Sequence, residues 1–418
     1  MNKPIRLHTR VGEPADPPSA GPSGPLLFAA PHRAMFLAGV VQAVLIFLPW
    51  TWEMLARAGV VGGVVWPWPP GWVHGLWALY GVFPFFAFGF LFTAMPRWQG
   101  LPDTPGRTLR PVWWLMCAGW LVFDGGLLAG QGGLCAIGLG VVLAGWVWAL
   151  RRLHPIAFKP GAPRLHPGSA WGALAAGALG LLAWVGYALS GEPILARAGI
   201  AIGVWWLLAP LFMVVSHRMI PFFSASALPR YEVVRPDAAL RVLIGASLIH
   251  GALAAADLAA WAWPSDLLAA ATALWLSARW QLRRSLAVPL LAMLHLGFLW
   301  LGIAWLLSGV HGLVPASGLG LAPLHALTVG YFGSMTLAMV SRVSLGHAGQ
   351  ALVADALIWR LALGLHAVVL LRVLADWVPG GQTGLLVASS LGWLAIFVPW
   401  AIRLIPLYLR RRADGRPG

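Results

Sequence analysis

Charge is what this chain has least of. Asp, Glu, Lys and Arg make up only 10% of its 418 residues, where soluble domains carry about 25%. That is too little to cover a water-exposed surface. Hydrophobic residues make up 59%, and the mean hydropathy is +0.77. One stretch, Ser285 to Ser341, holds none of the four charged types over 57 residues. At about 20 apolar residues per crossing, it can traverse a bilayer twice. Acidic residues are scarcer still, and Asp124, Asp257 and Asp266 fall at outer helix ends. The buried acidic relay usual in a proton-coupled transporter is therefore missing. Cys117 and Cys135 are the only cysteines. They form no CxxC pair and fall near opposite ends of neighbouring helices, which argues against a disulfide or a thiolate metal motif. Without CxxCH, covalent c-type heme is excluded. There is no P-loop, no GxSxG and no Asp/Glu-rich cluster for magnesium or calcium. Residues 1–30 have no apolar core behind a basic start, so no cleavable signal peptide is expected.

What is abundant fits a membrane. The 50 glycines and 26 tryptophans are both high; glycine is common in membrane helices and tryptophan gathers at the interfaces. The net charge of +15 does not mean nucleic acid, because the arginines are scattered among short loops rather than on one face. The pattern predicts an all-α polytopic bundle. Its twelve helices span roughly 34–52, 72–95, 111–130, 133–150, 169–190, 194–216, 239–260, 264–279, 286–308, 321–341, 355–375 and 384–405. The eighth is the shortest. With both termini cytoplasmic, the inner segments hold 25 Lys/Arg and the outer ones three, Arg57, Arg197 and Arg372. Such asymmetry is what the positive-inside rule expects of a correct count. Trp50, Trp52, Trp66, Trp68 and Trp72 form the outer aromatic belt. Residues 1–30 are expected as a flexible tail, 31–405 as one transmembrane domain and 406–418 as a basic tail.

Helices two, six and ten end on similar phrases: Thr93-Ala-Met-Pro-Arg97, Val215-Ser-His-Arg218 and Met339-Val-Ser-Arg342. The arginines are 121 and 124 residues apart. Two readings stand: three four-helix repeats, or the coincidence that inward-running helices end in Arg.

The histidines are the candidate chemistry. By helical rise, His250, His295 and His366 lie near mid-bilayer, and His74 and His325 lie near the outer boundary. His32, His217 and His347 sit at the inner edge; His8, His154, His166 and His311 fall in the tail or loops and receive no role. No two are adjacent or at i,i+4, so any cofactor must be held by rings from different helices, as in bundle sites. Imidazole suits iron, copper and zinc. On a 100° wheel His325, Thr328, Phe332, Thr336 and Met339 share a face, the one expected to point inward. His295 has only apolar sequence neighbours and needs a partner. His74, His295, His325 and His347 are the metal candidates. For His250 and His366 a helix–helix hydrogen bond is the better reading. The inner pairings His32-Arg33, His217-Arg218 and Arg342…His347 set a guanidinium beside an imidazole. They suit heme propionates or another anion, or are ordinary positive-inside residues.

The phrases Pro31-His-Arg-Ala-Met-Phe-Leu-Ala-Gly39, Gly89-Phe-Leu-Phe-Thr-Ala-Met-Pro-Arg-Trp98, Ser216-His-Arg-Met-Ile-Pro-Phe-Phe-Ser224 and Leu294-His-Leu-Gly297 resemble those of the NnrS family. So does the most specific one, His325-Ala-Leu-Thr-Val-Gly330 continuing to Ser341-Arg-Val-Ser-Leu-Gly-His347. The resemblance covers about residues 31 to 350. It implies a multi-pass bacterial inner-membrane protein containing heme (b-type) and copper, linked to nitric oxide metabolism and nitrosative stress. It further implies nitric oxide or iron-nitrosyl species as partners, besides membrane lipids. His32, His74, His217, His295, His325 and His347 match family phrases, and Arg33, Arg218 and Arg342 stand within them. One departure matters: the family's second-helix phrase commonly reads His-Ala-His-Glu-Met. Here it is His74-Gly-Leu-Trp-Ala78, with Leu76 and Trp77 in place of a histidine and a glutamate. Two rival functions remain, a cofactor-free transporter or channel, and a distant relative of heme-copper oxidases or nitric oxide reductases. Whether the chain is an enzyme stays open.

Overall fold

A computed structural model describes residues 25–378 and 380–415. Twelve long helices follow one another: α1 Pro31–Arg57, α2 Pro70–Trp98, α3 Gly106–Leu128, α4 Gly132–Ala157, α5 Leu165–Ser190, α6 Pro193–Ala227, α7 Asp237–Ala255, α8 Trp263–Arg279, α9 Pro289–Leu313, α10 Ala322–His347, α11 Ala356–Leu374 and α12 Gln382–Leu409. No strand occurs among the described residues. Eleven of the helices are long and apolar enough to cross a membrane. The exception is α8, with 17 residues the shortest of the set, as the sequence anticipated. Several helices start on proline in their first turn, including α1, α2, α6 and α9. Proline costs nothing there, since that N–H has no helical partner anyway.

The segment expected as a flexible tail, residues 1–30, falls mostly outside the described residues. Residues 1–24 lie outside the described part. Leu26–Phe28 forms a 3-10 turn, and Phe28 meets the Trp113 ring edge-on at 5.7 Å. An aromatic anchor three residues before α1 was reason enough for this segment to pack. At the other end α12 continues to Leu409, four residues beyond the expected boundary.

Sequential helices pack as neighbours, and α12 returns to α1 to close the bundle. Small residues permit the close approaches: a Cβ on Gly119 of α3 would lie 2.7 Å from the Gly138 carbonyl of α4. Glycine at such crossings replaces the hydrophobic drive that is absent between helices in lipid. Leu121, Leu182 and Ile402 point outward and stay exposed, as lipid-facing residues should. Burial singles out the middle of the bundle. The most apolar windows of α2 and α10 are each 78% buried and that of α9 72%, against 33% for α12.

Three of the helices contain a π-helical stretch: Trp77–Val82 in α2, Ile202–Leu208 in α6 and Ala326–Gly333 in α10. These are the helices whose ends repeat in sequence. The stretches begin 125 and 124 residues apart, which favours the threefold repeat over coincidence. Just past or within each stretch a phenylalanine turns to the centre. Phe83, Phe212 and Phe332 form one cluster, with ring centroids 5.6, 6.0 and 4.9 Å apart. The second helix of each unit therefore lines the molecular axis. Such π-turns are rare and gather at functional sites.

Candidate functional site

On the outer side, two histidines flank the π-turns. His74 stands three residues before the one in α2, and His325 immediately before the one in α10. Each is within electrostatic reach of Arg372 on α11, and they are within reach of each other. Arg372 is paired with Asp376 at 3.3 Å. The His74 ring stacks on Trp50 at 4.1 Å and 16°, with Phe47 edge-on at 5.4 Å. The His325 Nδ1 lies 3.0 Å from the Leu321 carbonyl oxygen. A carbonyl only accepts, so Nδ1 carries the proton and Nε2 keeps its lone pair. That arrangement orients a ring for ligation. Of the face expected to point inward, Phe332, Thr336 and Met339 are buried, while Thr328 and His325 are only partly so. The π-stretch between His325 and Ser334 breaks the 100° step.

The inner-edge residues separate into two groups. His32 of α1 and His347 of α10 lie with ring centroids 4.3 Å apart and planes tilted by 43°, and the His32 Nδ1 is buried without a partner. Beside them Arg33 is spent on structure: it donates to the Tyr408 and Arg410 carbonyls at the end of α12. His217 is likewise engaged. Its Nε2 donates to the Pro236 carbonyl at 3.1 Å, which leaves Nδ1 to accept from the His166 Nε2 at 2.9 Å. Both nitrogens are used, so His217 is corrected from cofactor ligand to structural link between α5, α6 and the loop before α7. His166, placed in a loop from sequence, is instead buried in the first turn of α5. The helix begins four residues earlier than the hydrophobic pattern suggested.

Arg218 in the second half of α6 and Arg342 in the last turns of α10 face a cavity of about 560 Å³, which Arg97, Arg235, Arg412 and His347 also line. In the loop after α2, hydrogen bonds from Arg97 hold the Asp103 carboxyl below the usual carboxylate range.

His295 is buried, and its Nε2 meets the Ser224 hydroxyl of α6 at 3.0 Å. One polar partner for this ring is thus supplied by another helix. His250 and His366 make the interhelical hydrogen bonds expected of them. His250 Nδ1 reaches Asp266 at 3.0 Å, and Trp300 Nε1 donates to His366 Nδ1 at 3.0 Å. His311 is exposed at the end of α9. Where the chain departs from the family phrase, Leu76 is fully buried and the Trp77 indole donates to Asp124 of α3 at 2.9 Å. The carboxylate near this position is thus supplied by a neighbouring helix. Proximity to Trp77 could not be read from the sequence, because Asp124 lies 47 residues away.

An all-helical bundle with eleven helices long and apolar enough to cross a bilayer is a multi-pass membrane protein. The chain belongs to the NnrS family, whose model matches residues 26–412. Membership makes it, at family level, a membrane protein related to nitric oxide. No curated protein matches it.

Proposed function

We propose that this is a heme protein of the bacterial inner membrane that binds or processes nitric oxide or its iron adducts, with His74 and His325 as the residues that would hold the heme. One observation carries the reading. Two imidazoles, from α2 and α10, the most buried helices, lie within electrostatic reach of one another at the same end of the bundle. One of them has its tautomer fixed so that Nε2 is available. Two rings from facing helices are the usual protein contribution to a b-type heme. When bound, the heme supplies an iron that takes nitric oxide as a ligand.

The surrounding residues have definite tasks. The Leu321 carbonyl sets the His325 tautomer. Trp50 and Phe47 hold the His74 ring and exclude water from it. Arg372, already paired with Asp376, lies within electrostatic reach of both rings. Copper fits less well. Among the described residues there is no group of three or more His, Cys, Asp or Glu, so no step is assigned to it.

A second reading is a distant kinship with heme-copper oxidases or nitric oxide reductases. It is favoured by the threefold recurrence of π-stretches in α2, α6 and α10. The experiment for both is an absorption spectrum of the detergent-purified protein with metal analysis, before and after nitric oxide. A Soret band that shifts on addition is expected. A colourless protein with neither iron nor copper sinks the proposal and leaves a transporter or channel. Steady oxygen or nitric oxide consumption supports the oxidase-like kinship.

A further inference from the structure

The cytoplasmic ends of α2, α6 and α10 enclose the cavity of about 560 Å³, far from the outer histidine pair. Each of the three helices contributes an arginine, Arg97 and Arg342 near their helix ends and Arg218 nine residues before the end of α6. Arg235 and Arg412 add two more from flanking segments. The rest of the wall is largely apolar and aromatic, including Phe90, Trp98, Phe222 and Phe223. Among the described residues no carboxylate lines it.

Ordinary positive-inside arginines extend into water or lipid headgroups. Arg342 does not. It is 7% exposed, its guanidinium lies 4.1 Å over the Phe223 ring, and its Nε has no hydrogen-bond partner. Its one polar contact is to the Ser226 hydroxyl at a long 3.5 Å. Arg218 is also laid flat, 4.9 Å over Trp98, with the charge of Arg235 close by. Arg97 and Arg412 are held by Asp103 and Asp414. Among the described residues, Arg218 and Arg342 have no carboxylate partner. A buried guanidinium without a counter-charge is costly; Arg342 is one, and the half-buried Arg218 faces the same cavity.

The geometry points to an anion-binding site at this inner vestibule. Its ligand carries two or more oxyanion charges, phosphate or carboxylate, beside an apolar or aromatic body. Guanidinium forks match such groups bidentately. The stacked aromatic rings already hold both guanidinium groups in place, which reduces the ordering cost of binding. The volume is that of a small-molecule site. The chemistry has two sources to distinguish: a soluble cytoplasmic molecule, or the headgroup of an anionic phospholipid in the inner leaflet. The site stands independently of any heme at His74 and His325.

The test uses the full chain in nanodiscs of zwitterionic lipid, titrated calorimetrically with inorganic pyrophosphate. In parallel, native mass spectrometry follows protein reconstituted with phosphatidylglycerol. Wild type is compared with Arg342→Gln and Arg342→Lys, and circular dichroism and gel filtration establish that each folds. A soluble ligand predicts pyrophosphate binding that weakens at least about tenfold in Arg342→Gln and less in Arg342→Lys. A lipid ligand predicts no pyrophosphate binding and a retained phosphatidylglycerol adduct that Arg342→Gln loses. If neither probe binds in a way that depends on Arg342, the inference is overturned. Should Arg342→Gln fail to fold, Arg218→Gln takes its place in the same comparison.

Discussion

What decides a histidine's role in this protein is how many of its nitrogens are already engaged. His217 has both committed, to Pro236 and His166, whereas His325 has one bond, to its own preceding turn. Sequence showed which rings are deep but not what they touch. The partner of His295, Ser224, lies 71 residues away, and the two residues share only a helix crossing. The same limit hid the His250 site. Asp266 was placed at an outer helix end; it is 1% exposed and accepts from both His250 and, at 2.7 Å, Ser308. Removing it orphans a buried ring nitrogen and a hydroxyl. Asp266→Ala should therefore lower stability by about 1–3 kcal/mol, read as an earlier thermal unfolding midpoint in detergent. Heme content should not change with it, because neither His250 nor Ser308 belongs to the outer histidine pair.

Helix number and order were legible because length, hydrophobicity and loop charge all carry them. The short α8 was legible for the same reason. The π-stretches were not. A π-turn has the same composition as the α-helix around it, so no residue in Ala326–Gly333 marks it. A regular 100° wheel therefore does not run unbroken through α10, although Phe332, Thr336 and Met339 are buried as that wheel expects. The π-turn also has a mechanical consequence. An extra residue in a helix rotates the turns before it by about 100° relative to the turns after it. Deleting Val329 should return α10 to regular α-helix and swing His325 away from His74. The expected result is unchanged helicity by circular dichroism with loss of the Soret band; retention of the band would show that the π-turn does not set the His325 orientation.

At the scale of the whole molecule, three four-helix units place their second helices around one axis. Outward lies an apolar shell for lipid, and inward a stack of functions along α2 and α10. The outer histidine pair is above, the Phe83, Phe212 and Phe332 cluster in the middle, and the arginine vestibule below. The charge-free run from Ser285 to Ser341 is most of two of the three most buried helices. Its lack of charge reflects burial within protein as much as contact with lipid. Family membership accounts for the nitric oxide connection, and heme held by His74 and His325 is the central claim made for this chain. That claim stands or falls on porphyrin per protein, measured by pyridine hemochrome assay in wild type, His74→Ala, His325→Ala and His217→Ala. Heme held by His74 and His325 predicts at least about a tenfold loss in His74→Ala and His325→Ala and wild-type content in a folded His217→Ala. Full porphyrin in both His74→Ala and His325→Ala would contradict it.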